Sequence, residues 1–184
     1  MDNVKVIMHS EVKEIISAEF ISISGAVVAG IVLAAMTDKL FLVPGLLVLL
    51  PGFLEMRGSI SGSLASRLSS GLFLGALKPK IKNSKVLRGN VIASVILALV
   101  TSLALGIVAY LVGYFVFGIA SAKIIYVAII AGFLSNAIQI PLTIATTFWF
   151  FRQGHDPNNI MGPYITTMGD IISVLSLYIV VVMV

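Results

Sequence analysis

Residues 162–184 read GPYITTMGDIISVLSLYIVVVMV. The run is long and apolar enough for a helix that crosses a bilayer, which takes about 20 residues. One carboxylate, Asp170, stands near its middle. At that depth an ionisable group costs roughly 2.5–3.5 kcal/mol on insertion scales, so it is a functional hypothesis by default.

The rest of the chain has the same character. Of its 184 residues 59% are hydrophobic and 11% charged, whereas soluble chains carry about 25% charged residues. Long apolar runs separated by short charged loops read as membrane spans. The sequence therefore predicts an all-α, polytopic membrane protein with five transmembrane helices and a short amphipathic interfacial helix before them. That first helix covers 1–19, with Val4, Ile7, Met8, Val12, Ile15 and Ile16 on one face. A transmembrane domain fills 20–184. Its first span runs from Phe20 to Met36, and Thr37, Asp38 and Lys39 make a turn.

The next apolar region, Leu40 to Leu77, is too long for one straight crossing at ~1.5 Å per residue. A break is expected within LPGFLEMRGSISGSLASR (50–67), where Pro51, Gly52, Gly58 and Gly62 interrupt the pattern. The basic loop KPKIKNSKVLR (78–88) follows. Further spans are read over Val86–Phe117, Ile124–Phe151 and the closing segment.

Charge sets the expected orientation. Lys5, Lys13, Lys78, Lys80, Lys82, Lys85, Arg88 and Arg152 fall on the N-terminal side, against Lys39 and Lys123 on the other. The positive-inside rule then puts the N-terminus in the cytoplasm and the C-terminus outside a cell membrane. The net charge of +4 reports topology in this reading, with no nucleic-acid partner. The chain has no cysteine, so a disulfide framework and thiolate metal sites are excluded.

Polar groups within the spans narrow the chemistry. Thr166, Thr167, Asp170 and Ser173 share one side of the last helix. Asn136, Gln139, Thr143, Thr146 and Thr147 make a second stripe, where Pro141 leaves the Ala137 carbonyl without its helical donor. Carboxylate, amide, hydroxyl and carbonyl oxygens suit a hard cation such as Mg²⁺ or Ca²⁺. Against this stands a plainer reading. Membrane Ser and Thr most often bond their own helix or glue neighbours together, and Asp170 can equally be a structural counter-ion to Arg57 or Arg67. Glu55 and Arg57 read as an interfacial end, and His155 and Asp156 as solvated loop. No enzyme is indicated: GSISG (58–62) carries its serine one position late for a nucleophile elbow, and neither a P-loop nor H-E-x-x-H occurs. No cofactor is called for.

Two strings, LEMRGSISGSLASRLSSGLFLGALKP (54–79) and DPNNIMGPYITTMGDIISVLSLY (156–178), resemble the signature segments of the MgtE-type divalent cation transporters. The likeness is to the branch containing the animal magnesium carriers of solute carrier family 41. Gly58, Leu64, Ala65, Ser66, Arg67, Leu68 and Ser69 match the first signature; Asp156, Pro157, Asn159, Pro163, Tyr164, Thr166, Gly169 and Asp170 match the second. The resemblance implies a five-helix unit that pairs around a central magnesium pore. It also implies an ion held by Asp170 with backbone oxygens one turn earlier, near Thr166. Where the family has an asparagine this chain has Ser59, and where it has an acid, Ser61.

The candidate ion ligands are therefore Asp170, Thr166, Ser59 and Asn136. The transported ion is expected to be Mg²⁺, with Mn²⁺, Co²⁺ and Ca²⁺ open. A parallel homodimer in the lipid bilayer is expected, because a lone aspartate surrounds a divalent cation poorly and a second copy supplies a second one. Gly169 and Ser173, flanking the acid, should then meet across the interface. Two alternatives stay open: a non-transporting membrane subunit, and a proton-coupled transporter of another solute.

Overall fold

A computed structural model of the chain describes residues 2–40, 43, 45–80, 84–118 and 121–184. Its elements are helices α1 (Asp2–Ala35), α2 (Thr37–Leu40), α3 (Leu46–Phe73), α4 (Lys85–Phe117), α5 (Lys123–Arg152) and α6 (Pro157–Met183). Among the described residues four segments are long and apolar enough to cross a membrane: Val12–Ala35, Lys85–Phe117, Lys123–Arg152 and Pro157–Met183. The chain is thus an all-helical, multi-pass membrane protein.

The boundaries of α4 and the start of α6 follow from local chemistry. Ser84 caps α4 by accepting the Leu87 N–H at 3.0 Å, and α4 stops at Gly118 with φ +67, a left-handed conformation that favours glycine. Asp156 caps α6 by accepting the Asn158 N–H at 2.8 Å, with Pro157 at the first position, where its missing donor costs nothing.

The interfacial helix read over 1–19 and the span read from Phe20 lie on one continuous helix, α1. One expectation about the first half is corrected: the chain does not break within 50–67, since α3 runs unbroken through Pro51, Gly52, Gly58 and Gly62. The long apolar region is divided instead before Leu46, at Gly45 with φ +85, and α3 ends at Phe73, just ahead of Gly75 with φ +70. In an apolar environment an unpaired backbone group costs several kcal/mol, which outweighs a glycine's helix propensity of about 1 kcal/mol. Only the proline's own bond is forgone. Part of the basic loop, residues 81–83, lies outside the described residues.

Around an apolar core the chain also buries polar groups and leaves apolar side chains on the outside. Ser61, Ser69, Ser94, Ser102, Ser135, Gln139, Thr143, Ser173 and the whole of Arg57 are buried, while Phe20, Ile21, Ile31, Val100 and Phe115 are exposed. Helix α3 packs on α4, α5 and α6, and α1 packs along α6. Helices α4 and α5 close tightly because α4 buries Ser94, Ala98, Ser102, Gly106, Ala109 and Gly113 in a seam of small residues. A Cβ at Gly106 would come within 3.0 Å of the Ile125 Cα.

Loop contacts fix which ends lie together. Arg152 Nε donates to the Pro79 carbonyl oxygen, joining the α5 end to the α3–α4 loop. The Glu14 carboxylate meets His155 Nδ1 at 2.7 Å, bringing the N-terminal part of α1 to the same end. At the other end Lys123 Nζ donates to the Val184 carbonyl oxygen at 3.1 Å.

Candidate ion site

Midway along α6, Asp170 and Thr166 face a cleft of about 480 Å³ whose opposite wall is α3, with Glu55, Gly58 and Ser59. Asp170 is half-buried, while Glu55, Ser59 and Thr166 are exposed. Ser59 Oγ donates to Glu55 Oε1 at 3.3 Å, and Thr166 Oγ1 donates to the Gly162 carbonyl oxygen at 3.1 Å. Both hydroxyl oxygens keep lone pairs for another cation. Among the described residues nothing hydrogen-bonds the Asp170 carboxylate. The cleft therefore offers two carboxylates and two hydroxyls, an all-oxygen set suited to a hard ion that retains part of its water.

Three of the four candidate ligands, Asp170, Thr166 and Ser59, share this cleft. Asn136 does not. It donates through Nδ2 to the Gly132 carbonyl oxygen at 2.8 Å and borders a separate, mostly apolar cleft of about 210 Å³ between α4 and α5, beside Pro141. Glu55 is the residue that sequence reasoning assigned elsewhere. Read as an interfacial end, it lies across the cleft from the deep acid. Ser61, at the position of the family's acid, is fully buried away from it.

Behind Asp170 lies a polar network. Arg57, with no exposed surface, donates through Nη1 to Ser173 Oγ at 2.8 Å and through Nη2 to Gln139 Oε1 at 3.2 Å. Gln139 Nε2 donates on to the Ile165 carbonyl oxygen at 3.3 Å, and Ser173 Oγ donates to that of Gly169. The structural-pair alternative finds no direct contact in this geometry. Arg67 is exposed, and Arg57 makes no contact within 4.0 Å of the Asp170 carboxylate: His155–Glu14 is the sole such ion pair among the described residues.

Other signature residues do structural work. Leu64, Ala65, Leu68 and Ser69 are buried packing positions, and Asp156 is the α6 cap. Thr143, Thr146 and Thr147 bond carbonyls of their own helix, as the plainer reading expected. Ser173 is fully enclosed against Arg57, and Gly169, whose backbone borders the cleft, would point a side chain inward at Gln139.

Residues 50–180 match the MgtE family, described as a divalent cation transporter. The chain belongs to that family. Similar proteins include solute carrier family 41 member 2 of Gallus gallus, 24% identical over 81% of this chain and 27% of the relative. The Homo sapiens protein of the same name is 24% identical over 68% and 23%. The chain thus spans about a quarter of the length of these relatives. No solved structure matches it. MgtE is a family of transporters rather than enzymes, and with apolar helices of spanning length this chain is one of its membrane proteins.

Proposed function

We propose that this MgtE-family chain carries divalent cations, Mg²⁺ foremost, across a membrane along a path lined by Asp170. The observation that carries the reading is the cleft itself. Glu55, Ser59, Thr166 and Asp170 open outward at the level of the middle of α6, where facing lipid would be costly. An aqueous path or a second protein surface removes that cost. A parallel homodimer meeting on this face does both, covering the polar wall and placing two Asp170 carboxylates around one axis.

In this arrangement α3 makes the fifth crossing, with Arg57 enclosed in the interior and Glu55 facing the cleft. Lys78, Lys80, Lys85, Arg88 and Arg152 mark the cytoplasmic end. Mg²⁺ dehydrates reluctantly and binds through one or two carboxylates while keeping several waters. Two acids and hydroxyls per chain are therefore enough, and a site that holds the ion loosely also lets it leave.

The test is Mg²⁺ uptake into liposomes containing the purified chain. Wild type should give saturable uptake. Asp170→Asn keeps the shape and removes the charge, so it should abolish uptake while the protein still purifies as a folded species. Normal uptake by Asp170→Asn would overturn the reading.

A further inference from the structure

Arg57 has no part in the ion path proposed above, yet among the described residues it is the largest fully buried side chain. A guanidinium has five N–H donors, and only two bonds are formed, to Ser173 and Gln139. Among the described residues its Nε–H has no partner. A buried cation this poorly satisfied is expensive unless a counter-charge is near. Asp170 is the acid whose charge acts on it, across a gap rather than through a contact. The guanidinium is also held in place: through Gln139 it is tied to the Ile165 carbonyl and through Ser173 to that of Gly169. Both carbonyls lie on α6 just ahead of Asp170, and Ser173 lies one turn beyond it. The positive charge therefore has a fixed position behind the acid, on the side away from the cleft.

We infer that Arg57 is a built-in counter-charge that sets how tightly the cleft holds a divalent cation. With Glu55 and Asp170 in front and Arg57 behind, each chain presents one net negative charge to the ion. Two facing copies then present two, which matches a divalent cation. Without Arg57 the same acids would bind more tightly and release more slowly. The inference rests on the transport reading above.

The experiment compares Mg²⁺ uptake into liposomes by wild type, Arg57→Gln, Arg57→Lys and Gln139→Glu, recording half-saturating Mg²⁺ and maximal uptake separately. Arg57→Gln should lower half-saturating Mg²⁺ by roughly tenfold or more, since a charge within several ångströms of a divalent ion acts through a low effective dielectric. Its maximal uptake should fall as release slows. Arg57→Lys keeps the charge and should stay within about threefold of wild type. Gln139→Glu leaves Arg57 in place but gives it a carboxylate partner, so it should tighten binding as Arg57→Gln does. It provides the reading if Arg57→Gln does not fold. Unchanged half-saturation in the folded variants, with only yield reduced, would mean a purely structural arginine and overturn the inference. Absence of any saturable uptake by wild type would overturn the transport reading, and this inference with it.

Discussion

Glu55 on α3 and Asp170 on α6 face each other across one cleft, although α4 and α5 separate them in the chain. If both acids draw on the same ion, removing either charge must weaken its binding, but not equally. Asp170 is half-buried, where charge is poorly screened, and Glu55 is exposed. Glu55→Gln should raise half-saturating Mg²⁺ roughly three- to tenfold with uptake retained, whereas Asp170→Asn should abolish uptake. Equal, unaltered half-saturation in Glu55→Gln would remove Glu55 from the ion path.

The α1–α6 contact yields a stability test with an internal control. At Gly25 a Cβ would collide with the Thr167 side chain, while at Gly30 it would meet nothing within 4 Å. Thr167 Oγ1 also donates to the Ser22 carbonyl oxygen at 3.2 Å, so the two helices are held close there. Gly25→Leu should destabilise by about 1–3 kcal/mol through overpacking, read as a lower melting temperature in mild detergent. Gly30→Leu should melt within a degree or two of wild type.

How much of this was legible in the sequence depended on how local the controlling physics is. Helix α4 begins and ends, and α6 begins, at residues that can be read alone: Ser84, Gly118, Asp156 and Pro157. Asp170 announced itself as an acid in an apolar run. The role of Glu55 was hidden because it depends on the continuity of α3 through Pro51, which packing decides. Once α3 is continuous, two residues turn a helix by about 200°. Glu55 and Arg57 therefore point to opposite sides, one into the cleft and one into the interior. The Asn136 expectation failed to join the cleft for a similar reason. A polar stripe on one helix does not say which neighbour it faces, and Asn136 borders α4 while Gln139 reaches α6.

Orientation can be checked from the basic end. Lys80 is exposed in the α3–α4 loop, on the end that Arg152 closes through Pro79, and Lys123 is exposed at the other. In intact cells a cysteine replacing Lys123 should react with a membrane-impermeant maleimide, and one replacing Lys80 should react only after permeabilisation. The reverse pattern would invert the proposed topology.

The homodimer makes the sharpest geometric demand. Gly169 and Ser173 flank Asp170 in sequence, yet they pack inward against Gln139 and Arg57, so cysteines there should not cross-link between chains. Ser59 and Thr166 are exposed on the two walls of the cleft, and in a two-fold pair joined on this face each comes near its own copy. Single cysteines at Ser59 or Thr166 should form disulfide-linked dimers in membranes under mild oxidation. A cysteine replacing Ile96, exposed on the far face of α4, should not. Millimolar Mg²⁺ should slow the reaction at Thr166, because an ion held by the two Asp170 carboxylates fixes the turn on which that residue sits. Cross-linking at Ile96 but at neither cleft position would move the interface to another face. The polar wall of α3 and α6 would then have to meet water within a single chain.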